Sequence, residues 1–316
     1  PYCGFEKAYG DQCDKCGAVY DTDKLINPHC KFCGEPAVFK KTNHLYLKLD
    51  KIEAELDKWI EDHKNVWRPH VYGEAKRWIK EGLTPRAITR DIPWGISVPL
   101  EGYENKVFYV WFDAPWGYVS ISQAARKDWD SWWKNPDCFY AQFMGKDNVK
   151  FHSVFFPEQQ LAMNDNWKTV DLLKAVNFLN AGGSKVAKSS GNGIFLDKAL
   201  DIAPSDCWRY ALLASEPETD DTDFTMTRFA EIVNKDLNGL LGNFVSRVCK
   251  LSNKNFGDTV PAGRAMDEDL AHRINEKLAE LTGCLDACEF RKSIIALRDI
   301  YGIANEYMTA REPWAL

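Results

Sequence analysis

Long apolar segments and an N-terminal targeting pattern are both lacking in this sequence. No run of about 18 or more apolar residues occurs, which is the length that a membrane-spanning helix needs. The first residues also lack the charged, apolar and then small-residue order of a secretory signal. The sequence therefore predicts no membrane partner and no secretion, and a cytoplasmic enzyme is the expected class.

An excess of positive charge is lacking as well. The chain has 40 Lys and Arg residues against 46 Asp and Glu residues, a net charge of -6. This balance excludes a protein that coats nucleic acid non-specifically, although binding a folded RNA requires only a local basic face. With 316 residues, 45% of them hydrophobic and 13% aromatic, the chain is long and apolar enough for two or three globular modules.

Cysteine is abundant, and its distribution indicates metal binding. Five of the ten cysteines lie in the first 33 residues, where Cys13-x-x-Cys16 and Cys30-x-x-Cys33 are each followed by Gly. This spacing is typical of zinc knuckles, and four such sulfurs would complete one closed, structural tetrahedral site. The other five lie in apolar helical patterns and are predicted to be buried core residues: Cys138, Cys207, Cys249, Cys284 and Cys288.

Hydrophobic periodicity predicts an α/β chain that ends in helices. Helical spacing over 49–60 and 71–78 is followed by two short apolar runs, 107–112 and 139–144, which are interpreted as buried strands of a parallel sheet. Helical patterns around 117–134 and 149–163 complete a strand-helix-strand-helix order. This order is typical of a doubly wound sheet that binds ligands at the carboxyl ends of its strands.

After residue 228 the apolar pattern is helical only. Three apolar stripes at helical spacing extend over 229–251, 270–281 and 290–308. Three amphipathic helices predict a bundle at the C-terminal end.

Three motifs occur in a fixed order between these regions. They are Trp111-Phe112-Asp113-Ala114-Pro115-Trp116-Gly117-Tyr118, Gly145-Lys146-Asp147-Asn148 and Lys185-Val186-Ala187-Lys188-Ser189-Ser190-Gly191-Asn192. Alone, each is ambiguous, because a K-x-x-K-S string is more often a solvated basic turn. In this order, together with the cysteine pairs, they make the whole chain resemble the class I aminoacyl-tRNA synthetases, and within them the methionyl-tRNA synthetase family.

The resemblance implies ATP-dependent activation of L-methionine through methionyl-adenylate, followed by transfer to tRNA(Met). Lys185 and Lys188 are then the catalytic residues, which together with Ser189 contact the phosphates of ATP, whose Mg²⁺ enters with it as substrate. Gly145 and Asp147 correspond to the family's ribose-binding turn, although Asp147 is also a candidate N-cap of the next helix. Val186 and Ala187 depart from the family's Lys-Met-Ser-Lys-Ser loop.

The same resemblance implies a methionine pocket. Its residues are Trp111, Ala114, Pro115, Tyr118 and His152, whose aromatic and small side chains suit a flexible thioether. Tyr118 and His152 are candidates for hydrogen bonds to the sulfur, and the structural alternative for His152 is a buried core histidine. Trp116 departs from the smaller aliphatic residue expected at its position.

For the cysteines, the resemblance implies a different zinc assignment from the one that spacing alone suggests. Cys3, Cys13 and Cys16 would share one zinc ion with a cysteine that lies before residue 1. Cys30 and Cys33 would serve a second zinc ion with two further ligands upstream. Both schemes describe structural zinc, and they differ in which cysteines lie together.

The resemblance also implies an anticodon site and a domain order. Asn243 and Arg247, one helical turn apart, and Trp314 match anticodon-binding positions, while an exposed Asn/Arg pair alone is more typical of a solvated helix face. The expected domains are a zinc-knuckle insertion (1–100), the second half of a Rossmann-type catalytic domain (101–184), a lysine-loop linker (185–227) and a truncated helical anticodon domain (228–316).

The H-x-G-H motif of class I enzymes is missing from the sequence. The chain is therefore expected to be a fragment that needs the N-terminal half of the same polypeptide and is inactive alone. The alternatives are another class I synthetase and a non-catalytic zinc and tRNA-binding module derived from one.

Overall fold

The computed structural model describes residues 2–8, 10, 13, 15–16, 18, 20–186, 191–260, 262–263 and 266–315, and for Lys185 it describes the backbone only. The chain divides into two units, Pro1–Leu173 and Lys174–Leu316. Among the helices in these described ranges, none is long and apolar enough to cross a membrane.

The first unit contains short strands and short helices after a cysteine-rich segment with little regular structure. The strands are β1 (Tyr46–Leu47), β2 (Arg86–Ala87), β3 (Thr89–Arg90), β4 (Val107–Phe108) and β5 (Ala141–Gly145). The helices are α1 (Glu53–Asp62), α2 (Pro69–Glu81), α3 (Val110–Asp113), α4 (Gly117–Ala125), α5 (Asp130–Trp133) and α6 (Phe156–Ala162). β1 pairs antiparallel with β2, and β3 pairs antiparallel with β4.

The helical periodicity over 49–60 and 71–78 is confirmed by α1 and α2, which pack against each other. Leu56, Ile60, Val71 and Ala75 are completely buried, so the apolar stripes form the core of this pair. Gly82 ends α2 with a φ of 84°, a conformation that glycine adopts without steric cost.

The prediction of a strand over 107–112 is correct for its first two residues and wrong for the rest. β4 ends at Phe108, α3 follows from Val110, and β4 lies in an antiparallel pair rather than a parallel sheet. Val110 is 59% exposed, so the apolar run does not lie in a buried strand. A short apolar run does not distinguish a strand from a helix by periodicity, and here the rings of Phe108 and Phe112 pack one helical turn apart at 5.6 Å.

The strand predicted over 139–144 is confirmed as β5, and the helix predicted around 149–163 begins with a π-helical turn, Phe151–Phe155, before α6. Phe156 donates its N–H to the Phe151 carbonyl, a five-residue spacing. Pro157 has no N–H for the Ser153 carbonyl, so an ordinary α-helical bond is impossible at this point.

The second unit begins within β6 (Leu172–Val176). Its other strands are β7 (Leu179–Ala181), β8 (Ser184–Lys185) and β9 (Thr222–Phe224), and β7 lies between antiparallel β8 and parallel β9. Its helices are α7 (Leu196–Ile202), α8 (Ser205–Ala214), α9 (Met226–Ile232), α10 (Asn243–Phe256), α11 (Glu268–Asp286) and α12 (Phe290–Arg311). Tyr210, Ala211, Phe229, Ile232 and Ile294 form the buried core of this unit.

The three predicted C-terminal helices are confirmed. The first is continuous from α9 to α10 through a π-helical segment, Val233–Gly242. Lys277 of α11 pairs with Asp299 of α12 at 2.9 Å, so charged pairs flank the apolar contact between these two helices. The burial predicted for Cys249 is wrong, because this residue lies on an exposed face of α10.

One lysine of the second unit is buried between two carboxylates. Lys174 is 3% exposed, and its Nζ lies 3.0 Å from Glu218 Oε1 and 3.4 Å from Glu216 Oε2. Nζ also donates to the Cys288 carbonyl at 2.6 Å. Because two carboxylates face one ammonium, burial and the hydrogen bond to Glu218 raise the pKa of Glu216 to about 7.

The predicted fold class is confirmed in its coarse features. The chain has α/β content and a helical C-terminal region. The described sheets are small, so the doubly wound parallel sheet stays a prediction.

Candidate functional site

Two segments of the first unit bring the predicted methionine-site residues together. α3, the short turn after it and α4 carry Trp111, Ala114, Pro115 and Tyr118, and the π-helical turn carries His152. The Trp111 ring stacks on Phe151 with ring centres 4.6 Å apart, and the Tyr118 hydroxyl lies 2.9 Å from His152 Nε2. Pro115 is buried beneath this group, and Ala114 is exposed.

The hydrogen-bond geometry determines the tautomer of His152. Its Nδ1 lies 2.9 Å from the carbonyl oxygen of Asn148, which can only accept, so Nδ1 carries a hydrogen. Burial of the ring lowers the pKa of His152, and the imidazole is therefore neutral near pH 7. Nε2 then accepts the hydrogen bond that the Tyr118 hydroxyl donates.

The resulting surface is aromatic and exposed. Trp111 is 39% exposed and Tyr118 is 40% exposed, while His152 and Phe151 behind them are buried. Because the Tyr118 hydrogen is already donated to His152, this pair has no further hydrogen for a weak acceptor such as a sulfur atom. The arrangement is suited to an apolar, polarisable side chain held by ring contacts.

The predicted ribose-binding turn adjoins this group. β5 ends at Gly145, and the next turn presents Asp147 as an exposed carboxylate. A Cβ on residue 145 would lie 2.8 Å from Asp147 Oδ1, so glycine lets the carboxylate fold back over the strand end. The caps of the turn and of the following helix have no side-chain hydrogen bond, so Asp147 does not act as their N-cap.

Sequence reasoning missed a set of buried polar residues behind the site. Glu158 is 1% exposed, and burial, followed by the proximity of Asp50, raises the pKa of its carboxyl to about 8. Gln159 and Gln160 are also buried, and Trp116 donates its Nε1–H to Gln159 Oε1 at 2.7 Å. A run of three polar residues normally indicates a solvated helix face, so the sequence gives no signal of their burial.

The predicted lysine loop lies in the second unit. Lys188 and Ser189 are outside the described residues. For Lys185, the last residue of β8, the structure describes the backbone only. The flanks are well defined: Gly183 N donates to Asp223 Oδ1 at 2.8 Å, and Asn192 Nδ2 donates to the carbonyls of Ala181 and Ser184. These bonds hold the hairpin before the loop and the residue after it.

Three of the five N-terminal cysteines lie together. The sulfur atoms of Cys3, Cys13 and Cys16 are all within 4.8 Å of one another, and Cys30 and Cys33 are not part of this group among the described residues. The backbone amide of Cys16, followed by that of Lys15, lowers the pKa of Cys13 to about 7. Three sulfurs at this spacing, one of them readily deprotonated, fit a soft metal ion.

At the C-terminal end, the structure brings Arg247 and Trp314 together. The Arg247 guanidinium lies over the Trp314 ring, 4.8 Å from its centre, and Trp314 is 46% exposed. Asn243 is exposed one helical turn before Arg247. An exposed indole beside a cation is a surface on which a nucleic-acid base can stack.

Comparison with known proteins identifies the family. A family model described as tRNA synthetases class I (M) matches residues 1–249, and one described as the anticodon binding domain of methionyl tRNA ligase matches residues 260–316. Methionine--tRNA ligase from Streptomyces avermitilis is 42% identical over 99% of this chain, and that from Caulobacter vibrioides is 43% identical over 99%. The chain spans 58% of the length of each of these relatives.

Solved structures give the same fold. The Mycobacterium tuberculosis methionyl-tRNA synthetase bound by methionyl-adenylate matches with a TM-score of 0.77 and 24% identity. The match covers 91% of this chain and 56% of that one. From the two family models, the relatives and the shared fold, it follows that this chain belongs to the methionyl-tRNA synthetase family of class I aminoacyl-tRNA synthetases.

Proposed function

We propose that this chain contributes to ATP-dependent activation of methionine and its transfer to tRNA(Met) in a cytoplasmic enzyme. The observation that carries the proposal is the exposed ring surface of Trp111 and Tyr118, where the Tyr118 hydrogen is already donated to the buried His152. This surface suits the thioether of methionine, which is polarisable and a poor hydrogen-bond partner.

The ATP side of the reaction is assigned to two further groups. The Asp147 carboxylate at the end of β5 accepts hydrogen bonds from ribose hydroxyls, and Gly145 leaves space for that carboxylate. Lys185, Lys188 and Ser189 contact the phosphates. Negative charge accumulates on the leaving pyrophosphate, so lysines that close on it stabilise the transition state more than the ground state. Mg²⁺ enters with ATP.

The remaining parts have supporting roles in the same proposal. Residues 1–100 form a connective insertion whose structural zinc is held by Cys3, Cys13, Cys16 and a fourth donor, while Cys30 and Cys33 serve a second zinc ion. Residues 101–184 belong to a Rossmann-type half-domain, 185–227 form a linker, and 228–316 form a domain that reads the anticodon. There, Asn243 and Arg247 bond base edges and Trp314 stacks on a base.

The test is ATP–pyrophosphate exchange by the full-length protein, run separately with each amino acid. Methionine alone is expected to support exchange. Lys188→Ala should lower the exchange rate by about 100-fold or more, because it removes charge stabilisation of the leaving pyrophosphate. Lys198→Ala, which changes an exposed lysine of α7, is the matched control and should leave the rate unchanged.

Two results would contradict the proposal. Exchange with another amino acid in preference to methionine would indicate a different class I specificity. Tight tRNA binding without exchange would indicate a non-catalytic zinc and tRNA-binding module.

A further inference from the structure

The two segments that carry Tyr118 and His152 make a second polar contact behind the aromatic surface. Trp116, two residues before Tyr118, donates its indole N–H to Gln159 Oε1 at 2.7 Å. Gln159 lies seven residues after His152, about two helical turns further along the same helix. We call this hydrogen bond the Trp116–Gln159 pair. Together with the Tyr118–His152 bond, it joins the same two segments at different depths.

The Trp116–Gln159 pair is enclosed by rings. Phe156 lies 5.4 Å from the Trp116 ring and 6.2 Å from the Tyr118 ring, measured between centres. Trp167 packs edge-on against Trp116 at 5.0 Å. Phe156 is 1% exposed and contacts both Trp116 and Tyr118, so a shift of the indole is transmitted to the phenol.

Burial makes this hydrogen bond important for the position of α4. Gln159 is 6% exposed, and its Nε2 has no hydrogen-bond partner among the described residues. The indole N–H is the partner of its Oε1. Losing this donor would leave a buried amide with both ends unpaired, and the two segments would have to move apart to admit water.

We propose that Trp116 and Gln159 are positioning residues of the methionine site: their hydrogen bond holds the start of α4 against the helix of His152, so that Tyr118 reaches Nε2. The inference rests on the proposed function for its substrate, methionine. Neither residue touches the substrate. Both act through the geometry of the Tyr118–His152 bond.

The test is a mutant cycle in the full-length protein. Trp116→Phe keeps an aromatic ring and removes the N–H, and Gln159→Leu removes the acceptor. Each single variant should raise the KM for methionine about tenfold in pyrophosphate exchange, with kcat and the KM for ATP within about twofold. The double variant, W116F with Q159L, should be no more impaired than either single variant, because each single change already removes the hydrogen bond.

A second measurement does not depend on activity. The protonation of His152, followed by NMR with labelled histidine, should give a pKa below the ordinary value in the wild type. That pKa should rise in each single variant, as the Tyr118 bond loosens and water enters, and by the same amount in the double variant. Trp132→Phe, which changes an exposed tryptophan of α5, is the control and should move neither quantity.

The outcomes separate the two proposals. If the single variants leave the methionine KM and the His152 pKa unchanged, or if the double variant is as impaired as the two single losses combined, the positioning role is wrong. If the wild type shows no methionine-dependent exchange while the His152 pKa follows the cycle, the positioning role holds and the proposed substrate is wrong.

Discussion

At the residue scale, one hydrogen joins Tyr118 to His152, and the Asn148 carbonyl determines which ring nitrogen accepts it. A protonated His152 would carry hydrogens on both nitrogens and would no longer accept from Tyr118. The pKa of His152 is lowered by burial, so Tyr118 donates to Nε2 at neutral pH, and on acidification the direction of the bond reverses as Nε2–H donates to the hydroxyl oxygen.

This geometry predicts the pH dependence of methionine binding. The KM for methionine should be constant from about pH 8 down to about pH 6.5, the ordinary histidine pKa, and should rise at lower pH as His152 is protonated. Exchange kinetics of the full-length protein at saturating ATP would measure it. Tyr118→Phe, which already lacks the hydroxyl, should bind more weakly at neutral pH and show a smaller further loss in acid. An equal response to acid in this variant would contradict the assignment.

Cys13 is a second residue whose role can be tested with a single substitution, because its thiol is a proposed zinc ligand. Its pKa is lowered to about 7, so a large share of this thiol is already thiolate at neutral pH. We predict that native mass spectrometry finds zinc on the protein, and that Cys13→Ser loses it and unfolds the cysteine-rich segment, whose folding energy comes from the metal. Cys249→Ser, at an exposed thiol of α10, should retain the zinc. A disulfide among Cys3, Cys13 and Cys16 would contradict the prediction.

At the element scale, Lys174 connects β6 to the segment after α8 and to the turn before α12. Its partners are Glu216, Glu218 and the Cys288 carbonyl. Glu218 faces Glu216 beside the same ammonium group, so a proton on Glu216 relieves repulsion between the two carboxylates. The ordinary carboxyl pKa is 4.5, and that of folded Glu216 is about 7. At pH values between these two, folding therefore takes up a proton at Glu216.

The sign of the stability change follows. Glu216 contributes stability that is present in mild acid and decreases as the pH rises toward 7. Glu216→Gln removes this dependence. The variant should gain roughly 1–3 kcal/mol relative to wild type on going from about pH 5 to about pH 7.5. Chemical unfolding at both pH values would measure it, with Glu231→Gln, from an exposed ion pair of α9, as the control. A pH-independent difference would show that Glu216 is not protonated in the folded state.

Sequence periodicity predicts α1, α2 and the three C-terminal helices, because each has apolar residues along one face. Periodicity does not predict the depth of burial, since α10 and α11 have no buried residue. It failed at 107–112, where a short apolar run fits two conformations. The burial of Glu158 depends on contacts with distant elements. The Trp116–Gln159 pair joins residues that are far apart in sequence, so no local pattern indicates it.

The site residues divide in the same way. The family resemblance predicts Trp111, Tyr118 and His152 as one site, and the structure brings them together. The cysteine spacing alone suggested Cys13, Cys16, Cys30 and Cys33 as one set, whereas the structure groups Cys3 with Cys13 and Cys16. Spacing along the chain does not determine which of several knuckles fold together, because backbone turns decide that pairing.

At the scale of the whole molecule, a net charge of -6 provides no general attraction to RNA, so the proposed recognition of tRNA would depend on local contacts. Trp314 with Arg247 is such a contact, since a half-exposed indole is held in place by the cation over its ring. The proposed tRNA reader therefore acts through a few stacked and hydrogen-bonded bases rather than through a basic surface.

Removing the indole should separate the two steps of the reaction. Trp314→Ala is expected to lower kcat/KM for aminoacylation of tRNA carrying the CAU anticodon, since one stacked base is worth about 1–3 kcal/mol. Methionine-dependent pyrophosphate exchange without tRNA should be unchanged. Both rates are measured on the same full-length preparation. A parallel fall in both rates would show that Trp314 is a packing residue of the helical region.

The π-helical turn at Phe151–Phe155 has a consequence for how the length of this protein can vary. A π-turn contains one residue more than an α-turn, and deleting one residue would remove that extra residue. The deletion would also rotate Gln159 by about 100° and move it about 1.5 Å relative to His152. The helix could then keep its contact with Tyr118 or its contact with Trp116, but not both. A substitution here changes one contact at a time, whereas a single-residue insertion or deletion separates the two contacts at once, so both contacts together fix the spacing from His152 to Gln159.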